Sequence, residues 1–309
     1  MANFIIIATA FCLGRFAKLL KRFPANSAHI INQFVILISL PSLILAKVPE
    51  LLKTLDLTGH WWIAVSMPWL LFFTSWLLIG QIGVRKKWSR AKTGALILTC
   101  GLGNTSFVGF PLLQATLGPA SIPYGVIIDQ LGSFLILATL GTAVASFYSG
   151  DSVRLDAITG RLFSFPPFIS LCLSILWFLI GLPGETTWHE VFEKISMTLV
   201  PLTLFSVGFQ TTFHWDVIKR RWHPLVLGLL FKMALMPMIF YIMYFKILGH
   251  NDLLAQTTFL ESAMATQITA AIVVAEYQLD VELANLMVSL SIPISLFTVP
   301  MIDYLFVKS

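Results

Sequence analysis

Residues 101–111 read GLGNTSFVGFP, and apolar stretches run into them from both sides, AKTGALILTC before and LLQATLG after. Together the three pieces are long enough to cross a bilayer, whose hydrocarbon core takes about 20 helical residues. Yet the centre holds Gly101, Gly103, Gly109 and Pro111, which weaken or end a helix. It also holds Asn104, Thr105 and Ser106, whose side chains find no water at that depth. Such a span predicts a helix interrupted near the middle of the membrane.

The rest of the chain agrees with a membrane setting. Its 309 residues are 57% hydrophobic and 11% charged, with mean hydropathy +0.84, whereas a soluble globular chain carries about 25% charged residues. This composition predicts an all-α polytopic membrane protein. The net charge of +5 then reports loop topology and not a nucleic-acid surface. Cys12, Cys100 and Cys172 lie far apart inside apolar stretches, so they read as small buried residues and not as a disulfide framework or metal set. The first apolar run begins at Asn3 without a basic lead or a small-residue cleavage site, which predicts a retained span and not a signal peptide.

Apolar runs of spanning length fall at about 3–20, 29–48, 61–80, 93–117 and 119–147, then at 163–182, 193–213, 224–248, 253–276 and 283–307. Ten spans leave short connections and no soluble domain; only GPAS separates spans 4 and 5. The connections after spans 1, 3, 5 and 7 carry fourteen basic residues, from Arg15 to Arg22, Arg85 to Lys92, Arg154 with Arg161, and Lys219 to Arg221. The other side carries five (Lys47, Lys53, Lys194, Lys246 and Lys308), and Lys232 lies within span 8. Positive loops stay inside, which predicts that both termini face outward. The expected location is the inner membrane of a bacterium.

Five spans per half give the halves, 1–147 and 163–307, opposite orientations, as in many secondary transporters. Weak internal similarity supports this. SLPSLILAKV in span 2 aligns with TLVPLTLFSVG in span 7, setting Pro41 against Pro201, 160 positions apart. The same offset lays GLGNTSFVGFP on ESAMATQITAA in span 9, and Met-Pro pairs end at Pro68 and Pro237 in spans 3 and 8. Spans 4 and 9 are then matched interrupted helices, with Gly103, Asn104, Thr105 and Ser106 in one and Thr266, Gln267 and Thr269 in the other. An interrupted helix offers free N–H groups and a positive half-helix end, suited to a carboxylate, and free carbonyls, suited to a cation. These residues are the candidate substrate site. Close helix packing, with the hydroxyls bonded along their own helix, is the alternative.

Three ionisable residues fall deep inside spans: Asp129 in span 5, Lys232 in span 8 and Glu261 in span 9; Glu276 and Asp303 fall near span ends and read as interfacial. Asp or Lys at mid-helix costs about 2.5–3.5 kcal/mol, so each must be paired, neutralised, hydrated or ion-bound. One reading is a structural ion pair between Lys232 and a carboxylate. The other makes Asp129 and Glu261 a proton or Na⁺ site, with Asn104, Thr105 and Ser133 as oxygen donors and one surplus negative charge for one cation. Gln130 is a further polar candidate. The chain holds no Gly-rich phosphate loop, HExxH or GxSxG, so neither an enzyme nor a cofactor beyond the coupling ion is expected. The function that fits is secondary transport of a small organic anion; a channel, a membrane-embedded enzyme and a transport-fold sensor are the alternatives.

The order of LPSLI in span 2, GNTSFVGFP in span 4, Asp129, the Pro-bearing span 7, FKMALMP in span 8 and AEYQLD closing span 9 resembles the auxin efflux carrier family. That family includes plant auxin exporters and bacterial permeases for malate or malonate. The resemblance covers essentially the whole chain. It implies ten transmembrane helices in a five-plus-five inverted repeat with helices 4 and 9 broken and crossing, similar in fold to bile-acid and sodium–proton transporters. It also implies elevator-type movement of spans 3–5 and 8–10 against a dimerising scaffold of spans 1, 2, 6 and 7. One departure stands out: where the family has proline in span 9, this chain has Ala265 and Thr266. Glu261 with Met264 looks like the sodium-binding stretch of the bile-acid relatives.

Overall fold

The computed structural model describes residues 2–21, 23–54, 60–150, 155–181, 185–211 and 215–307; Arg22, Arg154 and Lys308 of the topology count lie outside them. In chain order the helices are α1 (Ala2–Leu19), α2 (Ser27–Lys53), α3 (Trp62–Arg85), and a broken α4 of α4a (Arg90–Gly101) and α4b (Phe110–Thr116). Then come α5 (Pro119–Ser149), α6 (Ile158–Ser164 and Pro166–Ile180), α7 (Thr187–Gln210) and α8 (Trp215–Ile247). A second broken helix, α9a (Leu253–Ser262) with α9b (Ile268–Glu276), precedes α10 (Val281–Val307). Six of these, α2, α3, α5, α7, α8 and α10, are unbroken and long and apolar enough to cross a membrane; α6 makes a seventh if its two parts count as one span. No strand occurs among the described residues.

Local chemistry explains the breaks. α6 bends by 62° at Phe165, whose extended backbone precedes Pro166 and Pro167; a residue before proline is pushed out of the helical region. Between α4b and α5, Gly118 has φ +86°, and Pro119 opens the next helix.

The helices close on one another through small residues. α1 lies along the second half of α7, and α2 along α6 and the first half of α7. The α1–α7 contact is reciprocal: a Cβ on Gly14 would stand 2.0 Å from the Phe205 carbonyl oxygen, and one on Gly208 would stand 2.1 Å from that of Phe11. Backbones touch there, which is how helices associate where lipid removes the hydrophobic drive. α3 packs on α4a, α5 and α9a, and α10 on α4a, α8 and α9b. α2 meets α5, and α4b meets α1 and α7. Large apolar side chains such as Leu77, Val84, Leu179 and Phe297 remain on the outside, as a surface facing lipid requires.

Candidate functional site

The two broken helices meet at their breaks. α4a ends at Gly101, and Leu102 is extended. Asn104 then caps the turn that leads into α4b: its Oδ1 accepts from the N–H groups of Phe107 (3.1 Å) and Val108 (3.3 Å). α9a ends at Ser262, whose carbonyl accepts from Lys232 Nζ at 3.2 Å. The next five residues are not helical, and Gln267 starts α9b without a side-chain cap. The breaks pair with each other as a minimal antiparallel ladder around Gly103 and Thr266. The Asn104 N–H donates to the Ala265 carbonyl at 2.8 Å, and the Gln267 N–H donates to the Leu102 carbonyl at 3.1 Å. Polar backbone freed by one break is thus satisfied by the other.

This ladder gives the crossing two faces, because successive residues of paired extended chains point to opposite sides. Asn104 and Gln267 share one side, Gly103 and Thr266 the other. On the second side the Thr266 hydroxyl donates to the Thr99 carbonyl (2.9 Å), and its N–H donates to Ser291 Oγ (3.0 Å). A Cβ on Gly103 would lie 3.3 Å from Lys232 Nζ.

Asn104 and Gln267 instead line a cavity of about 290 Å³ with Ser106, Asp129 and Thr269; Arg161 and Glu276 also line it, and they form an ion pair between α6 and α9b. Asn104 is 2% exposed and Gln267 9%. The amide nitrogen of Asn104 and the amide oxygen of Gln267 are buried and have no hydrogen-bond partner among the described residues. A second cavity, of about 460 Å³, lies among α1, α2, α7, α4b and the start of α5, with Lys47, Gln114 and Glu193 on its wall. It is larger but holds none of the polar groups of the crossing.

The three ionisable residues from deep in the spans surround this point in different states, while Asp303, near a span end, is also buried, in α10. Asp129 lies in a π-helical stretch of α5, Ile128–Phe134. Its carboxylate accepts from Thr105 Oγ1 at 2.5 Å and from Gln130 Nε2 at 2.6 Å. Glu261, at the end of α9a, is fully buried, and neither carboxylate oxygen accepts a hydrogen bond among the described residues. It lies against Gly109. Lys232, also fully buried, sits in a π-helical stretch of α8, Phe231–Leu235. Among the described residues it forms no ion pair within 4 Å; its bond is to the end of α9a.

A model of a family described as membrane transport protein matches residues 1–150 and 153–302. The chain belongs to that family, which is the auxin efflux carrier family. Over 296 residues it is 26% identical to an uncharacterized transporter of Methanothermobacter thermautotrophicus, covering 94% of this chain and 92% of the relative. Over 298 residues it is 24% identical to an uncharacterized transporter of Methanocaldococcus jannaschii, covering 90% of each.

Within this transporter fold the residues singled out from sequence do not all meet. Asn104, Ser106, Gln267 and Asp129 line one cavity, and Thr105 reaches it through Asp129. Gly103 and Thr266 lie on the far side of the ladder. Ser133 is buried one turn beyond Asp129, but that carboxylate accepts from Thr105, in the turn before α4b, and from Gln130. Gly101 packs against Phe72 and Ser75, Gly109 receives Glu261, and Pro111 lines the larger cavity. Ala265 supplies the carbonyl that Asn104 bonds. The departure at Ala265 and Thr266 does not keep α9 whole. Sequence reasoning passed over Thr99 and Ser291, which hold Thr266; the only signal for Ser291 is its place among serines, SLSIPIS, in an apolar span.

Proposed function

We propose that this protein is a secondary active transporter of small organic anions, carrying carboxylates such as malate, malonate or auxin-like acids by elevator-type alternating access. The observation that carries this reading is the buried, unpartnered amide nitrogen of Asn104 facing a cavity at the crossing of two broken helices. Because Asn104 Oδ1 already caps the turn into α4b, the free N–H groups come from the other half-helix. α9b starts without a side-chain cap, and its first-turn N–H groups and positive end favour an anion. The carboxylate then lies between Asn104 Nδ2 and the start of α9b, with the Ser106 and Thr269 hydroxyls in reach of the same cavity.

The coupling ion belongs on the other side. Glu261 has two carboxylate oxygens without donors beside Lys232 and Asp129, and two carboxylates with one ammonium leave one negative charge. A proton or a sodium ion at Glu261 balances it; of the oxygen donors named from sequence, Thr105 and Asp129 bond each other, and Asn104 Oδ1 is already taken at the turn into α4b.

The two cavities support an inverted repeat. Ile36 and Leu40 on the smaller wall stand 160 positions before Ser196 and Val200 on the larger. The same shift carries Phe110 of the larger cavity to position 270, between Ile268 and Ile272 of the smaller. In this reading α1/α7/α4b and α6/α2/α9b are equivalent walls, and the cavities are the outward and inward ends of one path. The basic loops make the Arg161–Glu276 end cytoplasmic. α1, α2, α6 and α7 are the scaffold, and the helices around α4 and α9 move.

Solute counterflow in proteoliposomes tests this. Saturable exchange of at least one labelled carboxylate is expected. Flux that rises linearly with concentration for every acid would favour a pore, and absence of flux for all of them would remove the carboxylate assignment.

A further inference from the structure

Asn104 and Gln267 present opposite hydrogen-bonding atoms to the same cavity. Asn104 is fixed: its oxygen is committed to two N–H groups of the turn leading into α4b, so the nitrogen faces inward as a donor. On the same face of the ladder, the Gln267 oxygen is buried without a donor. Of the acceptors that line this cavity with it, Asp129 is already engaged, accepting from Thr105 and Gln130. A plain carboxylate satisfies the Asn104 donor and the α9b terminus, yet it sets its own oxygens against another acceptor. A buried polar atom left unpaired, or facing its like, discriminates strongly against the ligand that leaves it so.

From this we infer that the substrate carries a hydrogen-bond donor, a hydroxyl or N–H, beside its carboxylate, and that Gln267 reads that donor. The inference rests on the carboxylate reading above and narrows it to hydroxy acids and their N–H counterparts. Gln267 is the specificity-determining residue, and Asn104 and α9b hold the anion.

Matched acids differing by one hydroxyl test it: labelled lactate against propionate, and malate against succinate, in counterflow with the intact protein. The ratio is read within each protein, so a variant with low activity still reports. The wild type is expected to prefer the hydroxylated member of at least one pair by about tenfold or more, the scale of one buried hydrogen bond. In Gln267→Leu that ratio is expected to fall to about one, and in Gln267→Asn to be partly kept. A wild-type ratio at or below one in both pairs overturns the inference, since it means the Gln267 amide offers its NH₂ to a plain acid or takes no part. A ratio unchanged in Gln267→Leu overturns it too. Transport of plain and hydroxylated acids alike leaves the carboxylate reading standing, whereas exchange of neither member of either pair, with no other carboxylate exchanged, overturns both.

Discussion

The carboxylate of Glu261, on one broken helix, lies against the backbone of Gly109, on the other. A Cβ on Gly109 would stand 2.7 Å from Oε1 and 2.8 Å from Oε2. The glycine that sequence reading assigns to helix breaking therefore serves a second purpose: it leaves room for a buried acid. Gly109→Ala should displace that carboxylate. Overpacking of this kind costs about 1–3 kcal/mol, so the melting temperature should fall by roughly 2–8 °C. Gradient-driven uptake should fall much further than exchange. Equal loss of both would make Gly109 a packing residue alone.

Asn104 has two jobs that substitution can separate. Ser keeps an oxygen at the cap, where it ranks with Asn, and adds no charge, but lacks the NH₂ that faces the cavity. Asn104→Ser should leave the melting temperature near that of the wild type while weakening carboxylate binding about tenfold to hundredfold. Asn104→Ala should lose both, with about 0.5–2 kcal/mol of stability for the missing cap. A thermal melt and a binding isotherm on each purified variant decide it; full affinity in Asn104→Ser removes Asn104 from the anion site.

The close crossing of α1 and α7 predicts where the scaffold is least tolerant. Gly208→Val places side-chain carbon where the Phe11 carbonyl stands, and Gly14→Val does the same at Phe205. Neither backbone can withdraw without separating the helices along their length. Both variants should fail to give a monodisperse purified protein, while Gly160→Ala, at a glycine with no neighbour within 4 Å, should purify normally. Normal purification of Gly208→Val would show that the helices are held further apart.

Topology is open to labelling. In a background lacking Cys12, Cys100 and Cys172, a cysteine replacing exposed Ser89 should resist an impermeant thiol reagent in intact cells. One replacing exposed Asn251 should react. The reverse pattern would invert the protein in the membrane and make the Arg161–Glu276 end of the cavity external.

The break in α4 was legible because its residues are themselves helix breakers, with Gly101, Gly103, Gly109 and Pro111 close together. The break in α9 was less so. Among the described residues its backbone takes no positive φ between Ala263 and Gln267, so it needs neither glycine nor proline. It is held open by bonds from distant parts of the chain: Leu102 and Asn104 across the ladder, Ser291 on Thr266 and Lys232 on Ser262. Side-chain direction was hidden for the same reason. Gly103 and Asn104 are neighbours in sequence, but the ladder register sends one toward Lys232 and the other into the cavity. The charges of Asp129, Lys232 and Glu261 were legible from their cost in a membrane, yet nothing local said that Lys232 would bond a helix end and not a carboxylate, or that Asp303 near a span end would be buried.

The central claim is that an anion on one face of the crossing is coupled to a cation held by Glu261 on the other. Its most direct test is uptake of a counterflow-positive carboxylate into proteoliposomes, with and without an imposed proton or sodium gradient, for the wild type and Glu261→Gln side by side. The account predicts that a gradient of one of these ions accelerates wild-type uptake and that Glu261→Gln still exchanges the acid without responding to either gradient. Asp129→Asn, with Thr105 and Gln130 left to bond an uncharged oxygen, should blunt the response in the same direction. A folded Glu261→Gln protein with the wild-type gradient response would contradict the account.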